Sequence, residues 1–365
     1  MATLSFFCCL LLPFASLLLQ VGCTDDNYKH AALFIFGDSL YDAGNSNYIN
    51  TTTGFQANFR PYGESFFKYP TGRFSDGRLI PDFIAEYAKL PLIPPYLQPN
   101  NHYFVYGANF ASSGAGALAE IYPGYVIDLN TQLSNFKKVE KLWRMKLGDT
   151  EAEQMLLNAV YMFAFGANDY INYPFLNSSY SEEEYVDLVV GNLTQVFKEI
   201  YKKGGRKFGI YSLGSYENVP GIRILTCPTN VVDCKEVIAE LVKQHNKALS
   251  KTLHKLEKKL KGFMYSNFMG SIGFGEIIDN PTKYGFKVGN SACCGSGLYR
   301  GINSCGGKRG VEEYELCENP SEYVFFDSDH PTEAANQHVA KLMWSGNTDV
   351  AMPYNVKALF QHTQG

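Results

Sequence analysis

Phe34-Ile35-Phe36-Gly37-Asp38-Ser39-Leu40 closes an apolar run that begins at Ala31. Residues 31–36 have the length and the β-branched and aromatic content of a buried strand. The run stops at Gly-Asp-Ser, where a small residue lets the backbone turn sharply. Ser39 is therefore expected at the carboxyl end of a strand. In an open parallel α/β sheet ligands collect outside those ends, so a hydroxyl held there meets a substrate. Gly-Asp-Ser also makes ordinary turns, so the reading of Ser39 as a nucleophile has to be carried by the rest of the chain.

That rest repeats the pattern. Residues 104–111 read as a second strand running into Ser112-Ser113-Gly114-Ala115-Gly116, where small residues either bring backbone N–H groups close to a ligand or make a tight strand-to-helix turn. Residues 159–165 are a third apolar strand, ending in Gly166-Ala167-Asn168-Asp169. Asn168 there either donates its amide hydrogens to a developing negative charge or caps a turn. Residues 206–214 and 262–268 supply a fourth and a fifth strand, and helical patterns occupy 79–89, 131–146, 150–158, 182–203, 233–261 and 332–344. Strands alternating with helices imply an α/β fold with a parallel sheet covered on both faces. Residues 41–78 are rich in Gly, Pro and aromatics and read as a long ordered loop whose rings line an acyl pocket or pin the loop to the core. No repeat, low-complexity tract or linker divides the chain, so residues 24–365 are expected to form one domain.

The 365 residues are 45% hydrophobic, enough for a large core, and the formal charge of -4 is spread along the chain. That distribution leaves no footprint for nucleic acid or an anionic membrane, and small neutral partners fit it better. Residues 5–22 are apolar, broken by Pro13, and Thr24-Asp25-Asp26-Asn27 follows as an abrupt polar switch. This reads as a secretory signal peptide over residues 1–23, the rival being an N-terminal membrane anchor. Cleavage would remove Cys8, Cys9 and Cys23, leaving Cys227, Cys234, Cys293, Cys294, Cys305 and Cys317 for up to three disulfides in an oxidising compartment. Buried free thiols are the alternative. Residues 289–317, rich in Gly and Cys, read as a stapled loop, and zinc is not expected there, since no histidine lies near the residue 293–317 cluster. Asn50, Asn177 and Asn192 each begin an N-x-S/T sequon that the secretory route would make usable.

A serine nucleophile needs a base, an orienting carboxylate and oxyanion donors, and these come from distant parts of a chain. Among the histidines only His330 stands at the end of an apolar run beside a carboxylate and a proline turn, in Phe325-Phe326-Asp327-Ser328-Asp329-His330-Pro331. Asp327 and Asp329 compete to orient it. An Asp three residues before a His on a turn curls back toward Nδ1, leaving Nε2 for the serine, so Asp327 is preferred. Asp329 is also explained as an acid near a helix N-terminus.

These pieces resemble the plant GDSL esterase/lipase family of the SGNH hydrolase superfamily. Four blocks match in the family order: Phe36-Gly37-Asp38-Ser39 with Asp42 and Gly44-Asn45; Asn109 through Gly116; Gly166-Ala167-Asn168-Asp169; and Asp327-Ser328-Asp329-His330-Pro331. The segments 70–78 and Cys293-Cys294-Gly295 are similar to it as well. The resemblance implies a flavodoxin-like three-layer α/β/α sandwich with five parallel strands. It implies Ser39 as nucleophile, His330 as base and Asp327 as its partner. The oxyanion hole it implies is made of the Ser39 and Gly114 N–H groups and the Asn168 side chain. No cofactor is implied, and the site of action would be the apoplast. Two features depart from the family pattern. Ser113 stands where glycine is common, and the leader has no basic residue before its apolar run. No G-x-S-x-G elbow surrounds Ser39, which argues against the α/β-hydrolase fold.

Hydrolysis of a carboxylic ester through a Ser-acyl intermediate is the expected activity. An acyltransferase passing the same acyl group to an alcohol of a specialised metabolite would need identical geometry. A non-catalytic secreted binding or defence protein is the reading from another class, disfavoured because every side-chain role is filled. Acyl and alcohol specificity, a lid and the oligomeric state are not written in these residues.

Overall fold

The computed structural model describes residues 31–100, 103–176, 178–226, 233–307 and 309–362. The leader, Cys227 and Asn177 lie outside the described residues. β1 (Leu33–Gly37), β2 (Gly107–Asn109), β3 (Val160–Ala164), β4 (Lys207–Ser212) and β5 (Met264–Met269) form a parallel sheet in the order β2-β1-β3-β4-β5. A sixth strand, Ala351–Pro353, adds to the expected five and runs antiparallel along β5 at the edge. Pro353 is tolerated there because an edge strand can leave one side of its backbone unpaired.

The helices in chain order are α1 (Ile80–Tyr87), α2 (Leu129–Leu147), α3 (Asp149–Asn158), α4 (Ala167–Asn172), α5 (Glu182–Lys202), α6 (Pro220–Arg223), α7 (Cys234–Lys259), α8 (Gly270–Asp279), α9 (Glu333–Ser345) and α10 (Val356–Gln361). The strand period of two assigns them to layers. Phe34 and Phe36 meet Phe136 of α2 at ring distances of 5.1 and 6.0 Å, and Phe163 meets Phe197 of α5 at 4.9 Å. Ile35, Met162 and Gly209 share the opposite face, where a Cβ on Gly209 would lie 3.7 Å from Val356 of α10. This is the three-layer α/β/α arrangement. Local chemistry starts the helices: Ser181 and Glu184 form a reciprocal cap on α5, Asp128 accepts from Asn130 and Thr131 at the start of α2, and Thr332 accepts from Ala335 in α9.

Two sequence expectations shift. The second strand is only three residues, because Phe104 takes a left-handed φ of 45° and Tyr103 and Tyr106 face solvent. The glycine- and cysteine-rich region, read as loop, contains a strand, Val288–Ala292, that runs parallel to Tyr323–Phe325. A small satellite core of Ala57, Tyr62, Phe74, Phe326 and the buried Cys293, Cys294 and Cys305 lies beneath it. Disulfides join Cys293 to Cys317 and Cys294 to Cys305, and Cys234 is disulfide-bonded too. Among the described residues, no helix is long and apolar enough to cross a membrane.

Candidate active site

The strand order places a reversal at β1, with β2 on one side and β3 on the other, and ligand sites in such sheets open at that point. The loops leaving these three strands carry Ser39, Gly114 and Asn168. The first is fastened at its root. The Gln132 side chain accepts from Gly37 N–H at 3.0 Å and donates to the Gly37 carbonyl at 2.9 Å. Buried Asp42 then draws the first two loops together, accepting from Gly44 N (2.7 Å), Asn45 N (2.6 Å), Ser46 Oγ (2.6 Å) and, across the gap, Ser113 N (3.1 Å). The Asn45 amide donates to the carbonyls of Asn109 and Ala111, both at 2.8 Å. Ser113, the departure from the family pattern, is thus held by its own backbone. Gly114 beside it needs to be glycine, since its φ is 79° and a Cβ would sit 2.5 Å from the Phe55 ring.

The segment after Tyr323–Phe325 delivers His330 and Asp327. His330 Nε2 lies 2.8 Å from Ser39 Oγ, and Nδ1 lies 2.7 Å from Asp327 Oδ1. Asp327 also accepts from the backbone N–H of Asp329 (2.9 Å) and His330 (2.8 Å), so the i, i+3 turn itself aims the carboxylate. The Tyr62 hydroxyl donates to its other oxygen at 2.6 Å, and the Phe74 ring backs the imidazole at 4.7 Å. Asp329 is exposed at the rim of the same cavity, accepts from its neighbour Ser328 and makes no hydrogen bond to the His330 ring. Burial alone would push the Asp327 carboxyl up, but the His330 charge and hydrogen bond and the Tyr62 hydroxyl outweigh it and hold the carboxyl at about 2. For His330, burial is the largest single effect and pulls down, but the charge and hydrogen bond of Asp327 with the charges of Asp329 and Asp38 together leave the imidazole above its ordinary value.

Ser39 N–H and Gly114 N–H have no acceptor among the described residues. Asn168 Nδ2 donates to the Ala115 carbonyl at 3.0 Å and touches Asp38 Oδ2 at 3.5 Å. Asp38 itself is buried with Leu40 N–H as its best donor, and desolvation pushes it up to about 7. All of these surround a cavity of about 250 Å³ whose apolar walls include Phe55, Tyr122, Ile171, Leu213, Val219 and Phe274.

A family description, GDSL-like lipase/acylhydrolase, matches residues 33–343. The chain belongs to this family. GDSL esterase/lipase 1 of Arabidopsis thaliana is 52% identical over 353 residues, covering 94% of both chains. GDSL lipase of Tanacetum cinerariifolium is 50% identical over 345 residues, 94% of this chain and 91% of the other. A more distant relative, 35% identical over 332 residues (90% of this chain, 74% of that one), is named inactive GDSL esterase/lipase-like protein 25 of Arabidopsis thaliana. The protein is a carboxylic ester hydrolase of the GDSL esterase/lipase type.

In this GDSL hydrolase, Ser39, His330 and Asp327 come together from sequence positions nearly 300 residues apart, with Gly114 and Asn168 on the same cavity. The sequons part ways: Asn50 is exposed, whereas Asn192 is half-buried within α5 and its amide donates to the Ala117 carbonyl, a bond a glycan on that nitrogen would break. Sequence reasoning missed two groups behind the site, Tyr62 and Arg309. Tyr62 was visible only as one aromatic in a long loop, and no local spacing links it to Asp327, 265 residues away.

Proposed function

We propose that this GDSL hydrolase works as a secreted serine esterase through a covalent Ser39 acyl intermediate. The observation that carries the reading is the unbroken set of hydrogen bonds from Ser39 Oγ through His330 to Asp327, at 2.8 and 2.7 Å, opening onto an apolar cavity. His330 Nε2 takes the Ser39 proton as Oγ attacks the ester carbonyl, and Asp327 steadies the imidazolium that forms. The carbonyl oxygen becomes an anion held by the N–H groups of Ser39 and Gly114 and by Asn168 Nδ2. Those two backbone donors are uncommitted, and Asn168 shares its hydrogens with Ala115 and Asp38 until the anion develops. Collapse expels the alcohol, which takes the proton from His330. Water activated by the same imidazole then attacks the acyl-Ser39 ester and releases the acid.

The polar switch after residue 23, the disulfides and exposed Asn50 support export of a chain that begins near residue 24 and forms one unit, glycosylated at Asn50 and Asn177. The test is release of p-nitrophenol from short and long acyl esters by the secreted protein beside Ser39→Ala, with and without added alcohols. Turnover lost in Ser39→Ala supports the mechanism. Equal turnover in both folded proteins removes it. Alkyl ester formed in place of free acid assigns acyl transfer.

A further inference from the structure

Asp327 Oδ2 is held by a group outside the Ser39–His330–Asp327 set. The Tyr62 hydroxyl, fully buried, donates to it at 2.6 Å, and Arg309 Nη2 donates to that hydroxyl at 3.2 Å. Three aromatic rings fix the tyrosine edge-to-face: Phe326 at 5.3 Å, Phe59 at 5.6 Å and Phe74 at 5.8 Å. Arg309 is only 6% exposed, and among the described residues its hydrogen-bond acceptors are neutral: the Tyr62 hydroxyl, the Gln56 carbonyl at 3.2 Å and the Asn303 side chain. A guanidinium buried without an ion pair is costly unless an anion lies close behind its neutral partners. Asp327 lies one hydroxyl away, and Asp329 also feels the Arg309 charge.

The chain brings this cation in by a covalent route. Arg309 lies between Cys305 and Cys317, inside the loop closed by the Cys293–Cys317 and Cys294–Cys305 bridges. That loop packs on the segment preceding Tyr62, where a Cβ on Gly306 would collide with the Arg60 carbonyl and one on Gly307 with the Phe59 ring.

We propose that Tyr62 and Arg309 are positioning residues for the reaction: Tyr62 locks the second oxygen of Asp327, and the disulfide-stapled loop supplies the buried positive charge behind it. The inference rests on the proposed roles of Ser39, His330 and Asp327. Tyr62 does not line the cavity, so its effect falls on turnover and not on substrate binding. The groups that set the charge on His330 are Asp327, Asp329 and Asp38; Arg309 acts directly on Asp329 and on the Tyr62 hydroxyl, and reaches Asp327 through that hydroxyl's hydrogen bond. Without the Tyr62 donor or the Arg309 charge, Asp327 is less compensated and holds the His330 proton more tightly. The acid limb of the rate profile then moves to higher pH.

The experiment measures kcat, KM and the pH dependence of kcat for p-nitrophenyl butyrate with wild type, Tyr62→Phe, Arg309→Gln, Arg309→Lys and Ser39→Ala, all carried as the intact disulfide-bonded chain. Tyr62→Phe keeps the ring and its packing, and is expected to fold, to lose about 10–100-fold in kcat at unchanged KM, and to shift the acid limb upward. Arg309→Gln should shift it the same way, and Arg309→Lys, which keeps the charge, should return it toward wild type. Wild-type kcat and an unmoved limb in Tyr62→Phe overturn the proposal, as does an equal loss in Arg309→Lys and Arg309→Gln without a shift. If Arg309→Gln does not fold, Tyr62→Phe decides alone. Activity surviving in Ser39→Ala is a different failure, that of the serine mechanism itself.

Discussion

Asn168→Ala separates catalysis from folding in this protein. The side chain stands on the first turn of α4, half-exposed at the cavity, with one 3.0 Å bond to the Ala115 carbonyl and a 3.5 Å contact to Asp38. In the resting protein its loss removes one ordinary hydrogen bond, about 1 kcal/mol, and shifts the melting temperature by roughly 2–4 °C. In the transition state it would remove one of the three proposed donors to the oxyanion, typically about 10²–10³ in kcat, or ~2.7–4 kcal/mol. The two quantities differ enough to be read apart. The assay is initial-rate hydrolysis of a p-nitrophenyl ester over a range of substrate concentrations, beside a thermal melt of the same preparation. The expected result is a kcat lowered by at least about 100-fold, a KM within a few-fold of wild type and a melt only slightly lower. A kcat within about threefold of wild type would refute the oxyanion role. A rise in KM at constant kcat would make Asn168 a substrate-binding group instead.

Three further outcomes follow from the same geometry. Because Asp327, Asp329 and Asp38 together outweigh burial and raise His330 above its ordinary 6.5, and the proposed base works only unprotonated, kcat/KM should fall as pH drops through a midpoint above 6.5; a pH profile with a midpoint below that value contradicts it. Asp42→Asn turns one of two acceptor oxygens into an NH2 donor, leaving two or three of the five buried donors on two loops without their acceptor, and should lower stability by about 3 kcal/mol, roughly 6–12 °C by calorimetry. Gly114→Ala meets both the left-handed φ and the Phe55 ring, so adding Phe55→Ala should recover part of the lost melting temperature but not the rate, since the strained N–H remains misaligned.

The five parallel strands were legible because each is a short apolar run ending in small and polar residues, so composition and punctuation agree. The edge strand Ala351–Pro353 was not, since three residues including a proline carry no periodic signal. Nor was Val288–Ala292, whose Val-Gly-Asn-Ser-Ala reads as loop and is strand only because Tyr323–Phe325 lies alongside. The preference for Asp327 over Asp329 rested on turn geometry alone, and it is Asp327 that lies 2.7 Å from His330 Nδ1. Tyr62 and Arg309 lay beyond such reasoning: they meet each other across 247 residues through a loop whose path is set by its disulfides.

Asp38 and Asp327 show why the surroundings matter more than the residue type. Both are buried beside the same histidine, yet Asp38 is pushed up to about 7 and Asp327 down to about 2. The difference lies in the donors. Asp327 accepts from two backbone N–H groups, the Tyr62 hydroxyl and the imidazole, which together outweigh desolvation. Asp38 has one short bond, from Leu40 N–H, and a long contact to Asn168, and desolvation wins. In the proposed mechanism a full negative charge behind His330 stabilises the imidazolium as the serine proton is taken. The same charge at Asp38, in contact with Asn168, would oppose the oxyanion that Asn168 is proposed to hold. Few donors at Asp38 keep that opposing charge partial near neutrality, while many donors at Asp327 keep the helpful one whole.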